Sequence, residues 1–224
     1  MRGHRWDVTV AEARAIQERL RGRVEQRDRF GRIRRVAGAD VAFGDGRAYA
    51  AVLVFSYPDL QLIETAHAMV PLTFPYVPGL LTFREGPALL KAFATLTALP
   101  DVVLFDAHGL AHPKAFGLAC HLGVLLNRPS VGCAKSVLVG GWDPAALERD
   151  RRAWTPLVLD GRTIGAAVRT REGTQPVFVS TGHRVSLRSA IRLSLTCCTA
   201  YRVPEPTRQA DLAVTLLRRA APYR

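Results

Sequence analysis

A chain of 224 residues, 48% hydrophobic and 22% charged, is long enough for one well-buried core. No stretch approaches the roughly 20 apolar residues of a membrane span. Thirty-one Lys and Arg against nineteen Asp and Glu leave a net charge of +12, which suits a partner with a phosphate backbone.

The N-terminus, MRGHRWDVTVAEARAI, is basic but has no apolar signal region, so a cytoplasmic protein is expected. Within residues 7–26, Val10, Ala13, Ile16, Gln17 and Leu20 recur at helical spacing with arginines on the other faces. Thr9 and Glu12 give that helix a T-x-x-E start. Three strand-like runs follow, 34–43, 48–57 and 62–70, separated by FGDGRA and PDLQ. Two tight turns in succession imply an antiparallel meander. PLTFPYVPGLLTFREGP is too punctuated for a regular element, and a helix is expected from about Pro87 to Leu99.

The pattern then becomes strand (102–106), helix (115–126), strand (130–135), with apolar runs that read as parallel strands buried on both faces. Residues 156–180 read as a hairpin or paired strands, and helices over 186–200 and 206–220 complete the chain. No repeat, linker or break in composition appears, so 1–224 is expected to form a single domain. Cys120, Cys133, Cys197 and Cys198 lie among apolar residues without C-x-x-C spacing, which argues for buried thiols rather than disulfides or a zinc knuckle. A three-strand meander followed by helix, strand, helix, strand is the order of the α/β ribonuclease H-like fold, a mixed sheet flanked by helices. In that fold the first and fourth strands are neighbours.

That adjacency would bring Asp40, within AGADVAF, close to Asp106 at the end of VVLFD. Two carboxylates a few ångströms apart cannot both stay ionised without a cation. Open, hard oxygen sites suit Mg²⁺, with Mn²⁺ as a substitute, and such a metal activates water for phosphodiester hydrolysis. An ion pair with Arg34 or Arg35 is the alternative for Asp40. Glu85 is the third acid. Thr82 and Glu85 match a capping box, but Pro87 fits best at the first helical position, which starts the helix at Gly86 and frees Glu85 to face the metal.

His108 and His112 have H-x-x-x-H spacing, yet Gly109 and Pro113 break the helix that a zinc site would need. His112 is expected to line a ligand pocket and His108 to be a structural hydrogen-bonder. His183, in VFVSTGHRVS, would orient or protonate a group beside the metal if it lies at the same sheet edge; otherwise it is a histidine near the next helix start. Lys135, one of only three lysines, could meet the scissile phosphate or be an ordinary surface lysine.

AGADVAF, PYVPGLLTFREGPALL, DAHGLAHP, GCAK, TGHRVS and YRVPEPTRQAD together resemble the endonuclease V family of deoxyinosine-directed nucleases, in the family's order, over about residues 34–211. The resemblance implies a Mg²⁺-dependent enzyme that nicks DNA at the second phosphodiester bond 3′ to deoxyinosine, leaving 3′-hydroxyl and 5′-phosphate ends. It implies that Asp40 and Asp106 hold the metal, Glu85 completes the acidic centre, and Lys135 and His183 assist. Tyr76 would belong to a wedge that separates the strands. His112, with the backbone around Gly79 and Leu81, would line the pocket for the flipped base. The proline-stiffened loop around Tyr76 agrees, since a fixed ring loses little entropy on stacking.

One position departs from the family: it usually carries glycine where this chain has Ala107, which bears on base selectivity rather than metal chemistry. Inosine RNA or branched DNA are alternative substrates on the same fold, and a basic nucleic-acid-binding protein without catalysis is the reading from another class. A pure binder gains nothing from three acids facing phosphates. Monomer is the default expectation for assembly.

Overall fold

The computed structural model describes residues 3–220. Helix α1 (Val10–Arg21) starts at Thr9, whose side chain caps the Glu12 N–H while Glu12 reaches back to the Thr9 N–H, so the T-x-x-E box forms. Strands β1 (Arg35–Gly44), β2 (Arg47–Ser56) and β3 (Leu62–Pro71) make the expected antiparallel meander. Asp45 and Gly46 both have positive φ (50° and 66°), the backbone that a two-residue hairpin requires.

Helix α2 (Leu81–Phe93) is followed by β4 (Val102–Phe105), α3 (Leu118–Leu126) and β5 (Ser130–Ala134). Then come β6 (Trp154–Leu159), β7 (Arg162–Val168), β8 (Val177–His183), α4 (Leu187–Cys197) and α5 (Glu205–Ala220). All eight strands join one sheet in the order β3-β2-β1-β4-β5-β8-β7-β6. Only β1 with β4 and β4 with β5 pair in parallel. This is the α/β mixed sheet flanked by helices that the element order implies, with β1 beside β4. Residues 156–180 form the expected paired strands: β6 and β7 make an antiparallel hairpin, and β7 pairs with β8.

Alternation along the strands builds two layers. Ala37, Ala39 and Val41 of β1, with Val103 and Phe105 of β4, pack against α1, α2 and α3. Val36 of β1, Leu104 of β4 and Cys133 of β5 face the other way, against Ala190, Ala210 and Val214 of α4 and α5. Gly38 lies on this second face and makes the close approach of α5 possible: a Cβ there would lie 2.0 Å from the Pro206 carbonyl oxygen.

One helix differs from expectation. α2 begins at Leu81, not Gly86, so Pro87 lies inside it and Glu85 is a helical residue rather than one just before the helix. The Thr82–Glu85 capping box is also absent, because Leu80 is the N-cap and has no side-chain cap. The reason is tertiary. Phe83 in the first turn is 1% exposed and packs on Trp6, Phe74 and His121, and this burial outweighs the missing proline N–H.

Candidate active site

The alternation that sorts the core also sorts the charges. Asp40 shares a face with Gly38, Asp106 continues the face of Leu104, and Lys135 continues the face of Cys133. The parallel register from β1 through β4 to β5 brings all three to one end of the sheet. Lys135 Nζ lies 2.5 Å from Asp106 Oδ2. Asp40 is set opposite Ala51, whose small side chain leaves the carboxylate room.

Glu85 enters the same space from α2. Burial raises its carboxyl first, then the nearness of Asp40 and Asp106, with Arg84 opposing; the result is about 8. Asp40 is pushed up to about 7, chiefly by burial; the Val41 N–H and Lys135 oppose this, while Asp106 and Asp211 reinforce it. Burial disfavours the Lys135 ammonium, but Asp106, Asp211 and Asp40 more than offset this and hold it above its usual range.

Asp211 was not singled out from sequence. It is exposed on α5, one turn after Thr207, and in sequence looks like an ordinary surface acid of an amphipathic helix. Docking of α5 against Gly38 carries its charge to Asp40 and Lys135. The signal was available in YRVPEPTRQAD, whose last residue it is. No arginine bonds to Asp40 among the described residues, so the Arg34 or Arg35 pairing does not form; those two backbone N–H groups bind Asp101 instead.

These acids fit a divalent cation. Four carboxylates and one lysine meet where burial and mutual repulsion already lift two of the acids, and a bound cation reverses both penalties. Among the described residues no three His, Cys, Asp or Glu side chains are grouped closely enough to hold a metal ion by themselves, so water would have to complete the shell of any cation bound here. An open set suits an ion that keeps several of its waters.

Beside the acids lies a cavity of about 160 Å³, lined by Tyr76, Gly79, Leu81, Ala107 and His112 among others. Gly79 has φ +81°, a conformation that favours glycine, and its carbonyl is held by Gln17 Nε2 at 2.8 Å and His112 Nε2 at 3.1 Å. The Lys114 N–H donates to His112 Nδ1, so Nε2 must carry the proton that goes to Gly79. Burial pushes His112 down to about 4, which keeps the ring in that neutral form. His112 therefore fixes the pocket wall through Gly79. Leu80 offers no side-chain cap; the Phe83 N–H is taken by the Leu80 carbonyl at 3.0 Å, and Leu81 and Thr82 of the first turn of α2 line this cavity. Tyr76 stands on the rim, 71% exposed. Ala107 is 7% exposed, and its φ is not positive, so its methyl takes pocket volume without straining the backbone. His108 Nε2 donates to the Ser136 carbonyl at 3.0 Å, the structural role expected of it.

His183 does not join the acids. It pairs with Ser130 at the start of β5, whereas Phe178 pairs with Ala134, the residue before Lys135. At about 3.3 Å per residue that separates His183 from the acidic end by roughly 13 Å of strand. Its Nδ1 accepts the Glu25 N–H at 3.3 Å, and burial together with Arg184 pushes it down to about 4. The expectation of a histidine beside the metal is thus corrected: β8 runs antiparallel and ends at the wrong edge.

The sequence model of the Endonuclease V family matches residues 18–212. The chain belongs to the Endonuclease V family. Endonuclease V of Roseiflexus castenholzii is 55% identical over 208 residues, covering 93% of each chain. The crystal structure of Endonuclease V from Streptomyces avermitilis superposes with a TM-score of 0.90 at 40% identity, covering 96% of both chains. Endonuclease V of Ciona intestinalis, solved in complex with a 24mer DNA containing an inosine followed by a ribo-adenosine, has a TM-score of 0.82 at 28% identity. That match covers 95% of this chain and 99% of the other.

Proposed function

We propose that this protein is a Mg²⁺-dependent endonuclease that recognises deoxyinosine in DNA and hydrolyses the second phosphodiester bond on its 3′ side, leaving 3′-hydroxyl and 5′-phosphate ends. The observation that carries the reading is the convergence of Asp40, Glu85, Asp106 and Lys135 beside a small pocket with an exposed tyrosine on its rim. Family membership and the inosine-containing DNA bound by the Ciona relative support it.

In this reading Asp40 and Asp106 hold the metal and Glu85 completes the acidic centre, with Asp211 adding charge from α5. The metal, with Mn²⁺ as a substitute, supplies Lewis-acid stabilisation of the phosphate and a more acidic bound water. Lys135 balances the charge of Asp106 and offers its ammonium to a phosphate oxygen. Tyr76 stacks into the gap left by the extruded base, and the N–H groups at the start of α2 meet polar edges of that base, while His112 holds Gly79 in place. Extrusion costs a few kcal/mol and is easiest at a mispaired base, which favours inosine. Four buried free thiols agree with a cytoplasmic site of action. No helix of the described residues is long and apolar enough to cross a membrane.

A second reading, cleavage of inosine RNA, draws support from the ribo-adenosine after the inosine in the Ciona complex. One experiment separates the readings. Labelled duplexes with a single inosine, followed by deoxy- or ribonucleotides, are incubated with Mg²⁺ or EDTA, using wild type and Asp106→Ala. A Mg²⁺-dependent nick in the all-deoxy duplex, lost in the variant, supports the proposal. Cutting of the ribo-containing strand alone supports the second reading, and binding without cutting under any metal defeats both.

A further inference from the structure

Across the sheet from the acids, a groove of about 460 Å³ runs between α4 and the start of β6. Arg188 and Arg192 line it from α4, and Arg151, Arg152 and Trp154 from β6 and the turn before it. No acid lines it, and among the described residues none of the four arginines is in an ion pair. Asp28, whose carboxyl feels Arg192, gives its oxygens to Ser186 and Ser189.

Arg151 has a structural task, since its guanidinium binds the Thr170 and Cys198 carbonyls at 3.1 and 3.0 Å near the end of α4. Arg152, Arg188 and Arg192 have none: all three are exposed, and among the described residues none of their guanidinium groups has a hydrogen-bond acceptor. Arg152 also sits at φ 81°, a backbone state that L residues rarely adopt, anchored by its N–H to the Arg169 carbonyl at 2.8 Å. Trp154 is half exposed among them.

We infer that this groove is a second nucleic-acid contact, gripping the phosphodiester backbone of the duplex that flanks the cut; the inference rests on the nuclease reading above. Several unpaired arginines lining one groove call for more than one anion, and an exposed tryptophan adds a ring for a sugar or base face, which a free phosphate would leave unused. Register gives the distance. Trp154 pairs with Val168, Val168 with Val177, and the next residue, Phe178, with Ala134 beside Lys135. Trp154 is therefore at the same end of the sheet as Asp106, four strand spacings away, or roughly 19 Å. At about 3.4 Å per base pair, that is about five or six base pairs from the cut.

The test measures binding in EDTA, so it reads the groove whether or not the protein cuts. Wild type is compared with a triple variant (Arg152→Gln, Arg188→Gln, Arg192→Gln) and, separately, Trp154→Ala, on a labelled inosine duplex. The duplex is either long on both sides or trimmed to about three base pairs on one side or the other. Loss of three phosphate contacts should flatten the salt slope of the triple variant by about 2.7, so that its affinity falls about forty-fold less than wild type between about 50 and about 200 mM salt. Trimming one particular side should weaken wild type, leave the triple variant unmoved, and bring the two proteins level. Trp154→Ala should weaken the long duplex without changing the slope. Equal salt slopes for wild type and the triple variant would overturn the inference, as would a deficit in the variant that persists on both trimmed duplexes.

Discussion

The two lifted carboxyls make a measurable claim about stability. A carboxyl whose folded pKa lies above its unfolded value binds its proton more tightly when folded. The stability it contributes is full below the unfolded value, near 4, and is lost as pH rises through the folded one. That window closes at about 7 for Asp40 and about 8 for Glu85. His112 and His183 sit near 4 and His121 near 3, so these buried histidines finish titrating below the range of interest. Between about pH 6 and about pH 8.5, the two acids together then cost on the order of 4 kcal/mol, Glu85 contributing the larger part. For a chain of this length that lowers Tm by on the order of 10 °C. The assay is thermal unfolding of the EDTA-treated protein across this range, with and without excess Mg²⁺. The metal-free Tm should fall as pH rises, Mg²⁺ should restore more at the alkaline end, and a double variant, Asp40→Asn with Glu85→Gln, should lose most of the slope. A metal-free Tm that stays flat or rises between these limits would refute the claim that the acids converge in a shielded site.

Other consequences concern single side chains. Tyr76→Ala removes a ring that is 71% exposed, so Tm should hold while the Kd for an inosine duplex rises by the equivalent of about 1–3 kcal/mol, read by anisotropy. His183→Ala should leave kcat of the folded fraction near wild type but lower stability by about 1–3 kcal/mol, because the Glu25 N–H loses its acceptor. A large fall in kcat at unchanged Tm would return His183 to the active site. Gly38→Ala forces a Cβ to within 2.0 Å of the Pro206 carbonyl oxygen, and denaturant titration should show a loss of about 1–3 kcal/mol or more as α5 gives way.

Much of this arrangement could be read along the chain because strands alternate. Asp40 follows Gly38 by two residues, Asp106 follows Leu104 by two and Lys135 follows Cys133 by two, so once β1, β4 and β5 are neighbours the three charges share a face. The meander was legible in its turn residues. His183 was misplaced for a definite reason: a strand's hydrophobic pattern carries no direction. Had β8 run parallel to β5, its C-terminal histidine would have reached the acids; running antiparallel, it ends beside Ser130. The start of α2 was misjudged because Pro87 is a local signal, whereas Phe83 earns its place through contacts with Trp6 and His121 that no local window contains.

Asp211 and Glu85 show where the remainder lies. Glu85 belongs to the layer built on α2, and Asp211 to the layer built on α5, on opposite faces of the sheet. Both lie near the point where β4 stops at Phe105 and β5 at Ala134. Asp40 feels both neighbouring strand and helix charges there, and Glu85 feels Asp40 and Asp106. A cation held at that point would tie the layers together as well as serve chemistry. Its binding energy would therefore appear as folding stability, and the same lifted acids that weaken the metal-free protein at high pH make the site hungry for the ion.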